Sequence, residues 1–374
     1  MSKKSPRQVA TIALFVAAMT ATAAPIAHAA QAVKRTEVCF TVHNAGDPIA
    51  STVRGTLFNT RAYTANSTVL LLQHGGVAER SAWDGGKPTV KGVPSMARRL
   101  ARAGYGVFAI DRLGYAGSPY HRPPGSGWLL TPDGYIEMTH EIVTQIRAGR
   151  FRRSKPDANC ANGRQPRHGA ANVVLSGFSS GAALTEAYAA RYHDIDGIIP
   201  MGWSNQPVAS AAAQRLVSEI FLPQWLQGKD YIEFFTDGAD GYSEFCEEFL
   251  FYRPGVKPTT LRQFCGPEYY AETKWPTPSG EAGVLVARNV ATVGLVGPTP
   301  VLLVFADHDV LFPTAPYKGS DPDVVAPEIA MWRSRCNCDV SVYMQPDAGH
   351  ANWLHGSMPQ LVAEMVTWLR ARGL

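Results

Sequence analysis

The residues in this chain best suited to do chemistry are a serine, a histidine and a carboxylate placed at the ends of apolar runs. Val173-Val174-Leu175-Ser176-Gly177-Phe178-Ser179-Ser180-Gly181 is a short β-branched run that closes in G-x-S-x-G and passes into the helix-forming stretch Ala182-Ala183-Leu184-Thr185-Glu186-Ala187. That context predicts a tight strand-to-helix turn with Ser179 exposed at its tip. Gly177 and Gly181 remove side chains that would collide as strand and helix close, and the following helix N-terminus turns N–H groups towards the serine. A serine hydroxyl is a weak nucleophile at neutral pH and needs a base within reach, itself held by an acid. The candidates follow Ser179 in chain order, each just past an apolar run. They are Asp309 after Pro300 to Phe305, and His350 in the small-residue turn Ala348-Gly349-His350-Ala351-Asn352. From spacing alone Asp307 has an almost equal claim to be the acid, and His355 is a second candidate for the base.

Acyl transfer also needs N–H donors for the oxyanion, one donor typically contributing about 3 kcal/mol. The N–H of Ser180 is one candidate. The loop after Thr68 to Gln73, which begins His74-Gly75-Gly76, supplies the other, with Gly76 as the expected donor. His74 is expected to hold that loop and is carried, with Trp203 at the end of a later strand, as a candidate for the substrate pocket. His43, His121, His140, His168 and His193 are read as ordinary surface or core residues.

The elements that position these residues alternate. Extended runs are predicted over 37–42, 52–58, 68–73, 106–110, 173–178, 195–202, 300–305 and 339–344, and helices over 95–103, 136–146, 327–335 and 358–370. Alternation of this kind implies an α/β fold, a mainly parallel sheet with helices on both faces and its site at the carboxyl ends of the strands. Residues 147–171, with Arg150, Arg152, Arg153 and Lys155, are read as a solvated loop. Between Trp203 and Gly297 the alternation stops and aromatic residues crowd the chain, among them Phe221, Trp225, Tyr231, Phe249, Phe251, Tyr252, Phe264 and Trp275. This stretch is predicted to be a mostly helical cap insertion, residues 203–297, on a core formed by residues 30–202 and 298–374.

The set of motifs resembles the α/β-hydrolase fold. His74-Gly75-Gly76 is similar to that family's oxyanion loop, Asp111-Arg112-Leu113-Gly114-Tyr115-Ala116-Gly117-Ser118 to its D-x-x-G-x-G-x-S turn, residues 177–181 to its nucleophile elbow, Asp309 to the acid of a D-x-x-x-P segment and Gly349-His350 to its terminal G-H. The resemblance implies Asp309 rather than Asp307 as the acid, and covers roughly residues 50–202 and 298–374. Ala116 departs from the family's usual glycine, and the aromatic insertion matches no particular subfamily.

Composition narrows the setting. Of 374 residues, 45% are hydrophobic and 18% charged, enough for one large core or two modest ones, so that composition alone leaves one domain with an insertion and two domains both open. Met1 to Ala29 has a basic opening (Lys3, Lys4, Arg7), an apolar stretch and the A-x-A sequence Ala27-His28-Ala29, which reads as a secretory signal cleaved near Ala29. Its removal takes three positive charges and brings the formal charge from +4 to +1, so the basic balance of the precursor says nothing of nucleic-acid or membrane partners. No nucleic-acid partner is expected, and the threonines of the apolar stretch and the small residues before Ala29 argue against a stable membrane anchor. An even count of six cysteines in an exported chain suggests disulfides. Cys246 with Cys265 is the expected pair, while Cys336 and Cys338 are expected to need distant partners such as Cys39 or Cys160.

The function expected is therefore a secreted serine hydrolase cleaving an ester, lactone or thioester of a fairly apolar small molecule, with no metal or organic cofactor. A serine aminopeptidase of the same fold is an alternative that Glu244, Glu247 and Glu248 keep open. A ligand-binding protein on a hydrolase scaffold is a third reading. An epoxide or haloalkane hydrolase would want Asp at position 179.

Overall fold

A computed structural model describes residues 32–60, 64–76, 78–85, 93–120, 129–154, 160, 163–166, 168–205, 218, 244–265, 290–311 and 325–374. Nine strands form one sheet: β1 Lys34–Val42, β2 Ser51–Asn59, β3 Thr68–Gln73, β4 Gly106–Ile110, β5 Arg152–Ser154, β6 Asn172–Phe178, β7 Gly197–Met201, β8 Val301–Ala306 and β9 Val340–Gln345, in the order β5-β1-β2-β4-β3-β6-β7-β8-β9. From β4 to β9 every pairing is parallel, while β2 meets β4, and β1 meets β2 and β5, antiparallel. The parallel strands are continuous apolar runs because both faces are covered. β4, β7 and β8 bury every residue.

The helices among the described residues are α1 Met96–Arg102, α2 Pro132–Ala148, α3 Ser180–Tyr192, α4 Glu244–Leu250, α5 Pro258–Phe264, α6 Val290–Leu295, α7 Ala326–Arg335 and α8 Met358–Ala371. Caps mark their starts: Ser95 Oγ accepts the N–H of Arg98, and Thr131 accepts that of Gly134 ahead of a proline at the first turn of α2. One face of the sheet packs side chains of α2, α3, α6 and α7, including Ile142, Tyr188, Val293 and Trp332. The other packs α1 and α8 through Leu100, Leu361, Met365 and Leu369. Strand order reverses around β3, with β4 on one side and β6 on the other. The carboxyl ends of β3, β4 and β6 thus line the crevice where sites form on such sheets.

Two expectations are corrected. The basic stretch after α2 is not all loop, because Arg152–Ser154 adds a strand at the sheet edge, with Cys39 opposite Arg152. Two of its three residues, Arg152 and Arg153, are charged, which suits an edge strand and gives it none of the apolar run that marks the buried strands. The cysteines pair as Cys39–Cys160, Cys246–Cys265 and Cys336–Cys338, so the last two bond to one another. α7 ends at Arg335 and the chain turns through Asn337, which sets the two Cα atoms 5.2 Å apart, within the span a disulfide bridges.

Most of the insertion, including Phe221, Trp225, Tyr231 and Trp275, lies outside the described residues. The described stretch 244–265 packs into the core: Cys246, Leu250, Phe251, Leu261, Phe264 and Cys265 join the cluster on the α1 and α8 face. Its backbone is bonded to the loop that carries His350. The N–H of Ala351 donates to Leu250 O (2.7 Å) and that of Gly356 to Gly255 O (2.8 Å).

Candidate active site

Ser179 occupies the turn between β6 and α3, half-buried, with φ 52° and ψ −122°. A non-glycine residue held there stores on the order of 1–3 kcal/mol, and the surroundings hold it. Its N–H donates to Met201 O at the end of β7 (2.9 Å), and its carbonyl accepts the N–H groups of Ala182 (2.9 Å) and Ala183 (3.2 Å). Close approach explains the two glycines. A Cβ on Gly177 would lie 2.0 Å from Gly181 O, and one on Gly181 would lie 2.5 Å from His74 O. The N–H groups of Ser180 and Gly181 open the helix and have no acceptor within it.

His350 and Asp309 come together although 41 residues separate them. His350 Nδ1 is 2.8 Å from Asp309 Oδ2, with exposures of 2% and 0%. The carboxylate accepts, so Nδ1 donates to it, and in the neutral imidazole Nε2 is then the basic nitrogen. Asp309 Oδ1 also accepts the N–H of Leu311 (2.8 Å), which fixes the carboxylate plane. The pair lies against the elbow: the ring centroids of His350 and Phe178 are 4.6 Å apart. A Cβ on Gly202 would lie 3.4 Å from His350 Cε1, and Gly202 follows Met201, whose carbonyl holds the N–H of Ser179.

The structure separates the two aspartates. Asp307 accepts the N–H groups of Asp347 (3.0 Å) and Ala348 (3.0 Å) with its two oxygens, so it ties the end of β8 to the turn that presents His350. It also separates the two histidines. His355 is buried, gives its Nδ1–H to Ala351 O (2.9 Å) and accepts at Nε2 the N–H groups of Tyr252 and Gly349 (3.0 Å each). Burial lowers it to about 4, and this neutral ring joins the insertion to the His350 loop.

Around Ser179 the loop after β3 makes a close approach. A Cβ on Gly75 would lie 3.0 Å from Ser179 Cβ, and Gly76 follows in a half-buried turn. The pocket expectation for His74 is corrected: it is fully buried, its Nδ1–H donates to Gly75 O (2.7 Å), and its Nε2 accepts the N–H of Arg112 (3.0 Å). Neither nitrogen is left for a substrate. Burial, reinforced by the Arg112 charge, holds this imidazole well below its ordinary range, and so neutral. Trp203 is 3% exposed, packs in the core on the α2 and α3 face and donates its indole N–H to Asn205 Oδ1 (3.4 Å). It is a packed residue rather than an open rim. Of the three glutamates that left a peptidase open, Glu247 is paired with Arg253, Glu248 is exposed, and the side chain of Glu244 lies outside the described residues.

Sequence reasoning gave no role to several residues that shape this region. Arg112 is one, although it stands inside the turn motif beside Asp111. Glu328 is another: its carboxylate accepts from Ser204 Oγ (3.0 Å), Asn205 N (3.0 Å), Asn205 Nδ2 (3.1 Å) and Trp332 Nε1 (3.0 Å). Asn205 Nδ2 also reaches Glu186 on α3 (2.8 Å), and burial together with Glu328 pushes the Glu186 carboxyl well up. This cluster holds the chain where it leaves β7 for the insertion. The one sequence signal was a glutamate on the core side of an otherwise amphipathic helix.

No curated sequence relative matches. Among solved structures, a thermophilic esterase from Thermogutta terrifontis superposes with a TM-score of 0.52 at 16% identity, covering 89% of this chain and 98% of that one. A 2-hydroxy-6-oxo-6-phenylhexa-2,4-dienoate hydrolase from Rhodococcus gives 0.52 at 15% identity, covering 89% and 99%. The carboxylesterase CesB from Bacillus subtilis gives 0.50 at 14% identity, covering 88% and 90%. At these identities the likeness is one of fold. The model of the alpha/beta hydrolase family matches residues 69–365, a span that holds the elbow, the His350–Asp309 pair and the loop after β3, and the chain belongs to the alpha/beta hydrolase family.

Proposed function

We propose that this protein is a serine hydrolase that cleaves a carboxylic ester, lactone or thioester of a fairly apolar small molecule through an acyl-enzyme. The observation that carries the reading is the buried His350–Asp309 contact of 2.8 Å set against the strained turn at Ser179. In this mechanism His350 Nε2 takes the proton of Ser179 Oγ as the oxygen attacks the acyl carbon. The oxyanion is held by the N–H groups of Gly76 and Ser180, and His350 returns the proton to the leaving alcohol. Water, deprotonated by the same nitrogen, then attacks the acyl carbon, and the acyl–Oγ bond breaks as that proton passes to Ser179 Oγ, releasing the acid. Asp309 keeps the proton on Nδ1 and stabilises the imidazolium that forms. The chemistry requires no metal or organic cofactor. Esterases among the structural neighbours agree with this reading, as does the aromatic-rich sequence of residues 203–297. The basic opening, apolar stretch and Ala27-His28-Ala29 of residues 1–29 support export of the enzyme from the cytoplasm.

The test is turnover of p-nitrophenyl esters of graded chain length by the mature protein and by Ser179→Ala. The expected result is hydrolysis by the wild type and a loss of about 10⁴-fold or more in the variant. Faster turnover of aminoacyl-arylamides than of any ester would replace the esterase with the peptidase, and equal inertness of both proteins would leave a binding protein.

A further inference from the structure

Arg112 links the two halves of the expected oxyanion pocket. It is 2% exposed and follows Asp111 at the end of β4. Through its main chain it holds the loop after β3, because its N–H donates to His74 Nε2 (3.0 Å) and the other nitrogen of that ring donates to Gly75 O (2.7 Å). Through its side chain it holds the elbow, because Nη2 donates to Ser180 Oγ (3.3 Å) on the residue directly after Ser179. The guanidinium is itself fixed. Nη2 also donates to Tyr115 OH (3.2 Å), and the group lies 4.7 Å from the Tyr115 ring centroid and 5.1 Å from that of Tyr135. Tyr115 in turn stands edge-on to His74, 4.5 Å between centroids.

We propose that Arg112 is a positioning residue for the oxyanion pocket, setting the Gly75–Gly76 loop and the Ser180 N–H at the separation the tetrahedral intermediate needs and placing a positive charge behind them. Buried and water-excluded, a fixed charge acts on a developing oxyanion far more strongly than it would in water, and it favours the anionic tetrahedral state over the neutral ester. Arg112 therefore acts on kcat rather than on ground-state binding. The proposal rests on the serine-hydrolase reading.

The experiment uses the full mature protein with Arg112→Lys, Arg112→Met and Ser180→Ala, each checked for folding by near-ultraviolet circular dichroism. Steady-state kinetics on a p-nitrophenyl ester is read beside the binding of two inhibitors. One is a trifluoromethyl ketone, which adds to the serine as an oxyanion, and the other is the corresponding unreactive methyl ketone. The expectation is a fall in kcat of about 10–100-fold in Arg112→Met, with KM changed less than threefold. The trifluoromethyl ketone should weaken by the same factor and the methyl ketone stay unchanged. Arg112→Lys should recover part of the loss by restoring the charge. Ser180→Ala, which removes the contact of Arg112 with the elbow but keeps the N–H, should lose less than Arg112→Met and add little to it in the double variant. Equal weakening of both ketones, or an unchanged kcat in a folded Arg112→Met, would overturn the proposal while leaving the hydrolase standing. An inert wild type would instead remove the reading on which it rests. Should Arg112→Met fail to fold, Arg112→Lys and Ser180→Ala decide: unchanged kcat and inhibitor binding in both overturns it.

Discussion

At the scale of single residues, neighbouring side chains of the same type differ in what they are bonded to. Asp307 and Asp309 are two positions apart, yet one spends both oxygens on backbone N–H groups of the turn after β9 and the other reaches His350 Nδ1 at 2.8 Å. Asp309→Asn should therefore lower kcat by about 10³–10⁴-fold with little effect on the melting temperature, as expected when the imidazole loses the partner that fixes its tautomer. Asp307→Ala should act mainly on stability, costing about 2 kcal/mol through two orphaned N–H groups. Chemical denaturation and steady-state kinetics on the two variants separate these outcomes, and the reverse pattern would exchange the roles. Ser179 itself stands at φ 52°, where glycine is at ease. Ser179→Gly should thus raise stability by about 1 kcal/mol relative to Ser179→Ala while both are inactive, measured by urea unfolding. The choice between Asp307 and Asp309 was not legible in spacing. Residues two apart share a pattern, and only the turn geometry decides which one faces the histidine.

At the scale of elements, the strand ends carry the site, and these were readable because buried parallel strands are short uninterrupted apolar runs that stop abruptly. β3 and β4 fall over the expected residues, and β6, β7, β8 and β9 differ by a few residues at most. β5 was missed because an edge strand of arginines resembles a loop. The insertion was harder, since a row of aromatics says that packing occurs but not against what. The structure shows residues 244–265 packed on the core and bonded to the His350 loop, with His355 as the joint. His355 must stay neutral to accept from Tyr252 and Gly349. Its folded value of about 4 lies below the ordinary 6.5. The unfolded chain therefore binds the extra proton between these values, and this contribution is complete above pH 6.5 and is lost as pH falls towards 4. The loss amounts to about 3 kcal/mol over that window. His355→Gln should flatten this part of the stability profile, as measured by denaturant titrations at pH 4, 5, 6 and 7; an unchanged profile would remove His355 as the cause.

At the scale of the whole molecule, residues 32–374 form one compact unit, and three disulfides close very different lengths of it. Cys39–Cys160 spans 121 residues, Cys246–Cys265 spans 19 and Cys336–Cys338 spans 2. Because a cross-link stabilises chiefly by restricting the unfolded chain, removing the first with paired alanines should cost about 4–5 kcal/mol and removing the last about 1–2. Thermal unfolding of the two double variants checks that order, and a larger loss at 336 and 338 would contradict it. Pairing was the least legible feature of the sequence, since connectivity follows from which loops meet in space. The fold was the most legible, because periodicity and motif order agreed with one another along the core. What unites the scales is the claim that Ser179 is a nucleophile activated by His350. Its most direct test is peptide mass spectrometry after treatment with a fluorophosphonate. The account predicts a single adduct on Ser179, formed quickly in the wild type and at least 10³-fold more slowly in His350→Ala. An unlabelled Ser179, or equal labelling in the two proteins, would contradict it.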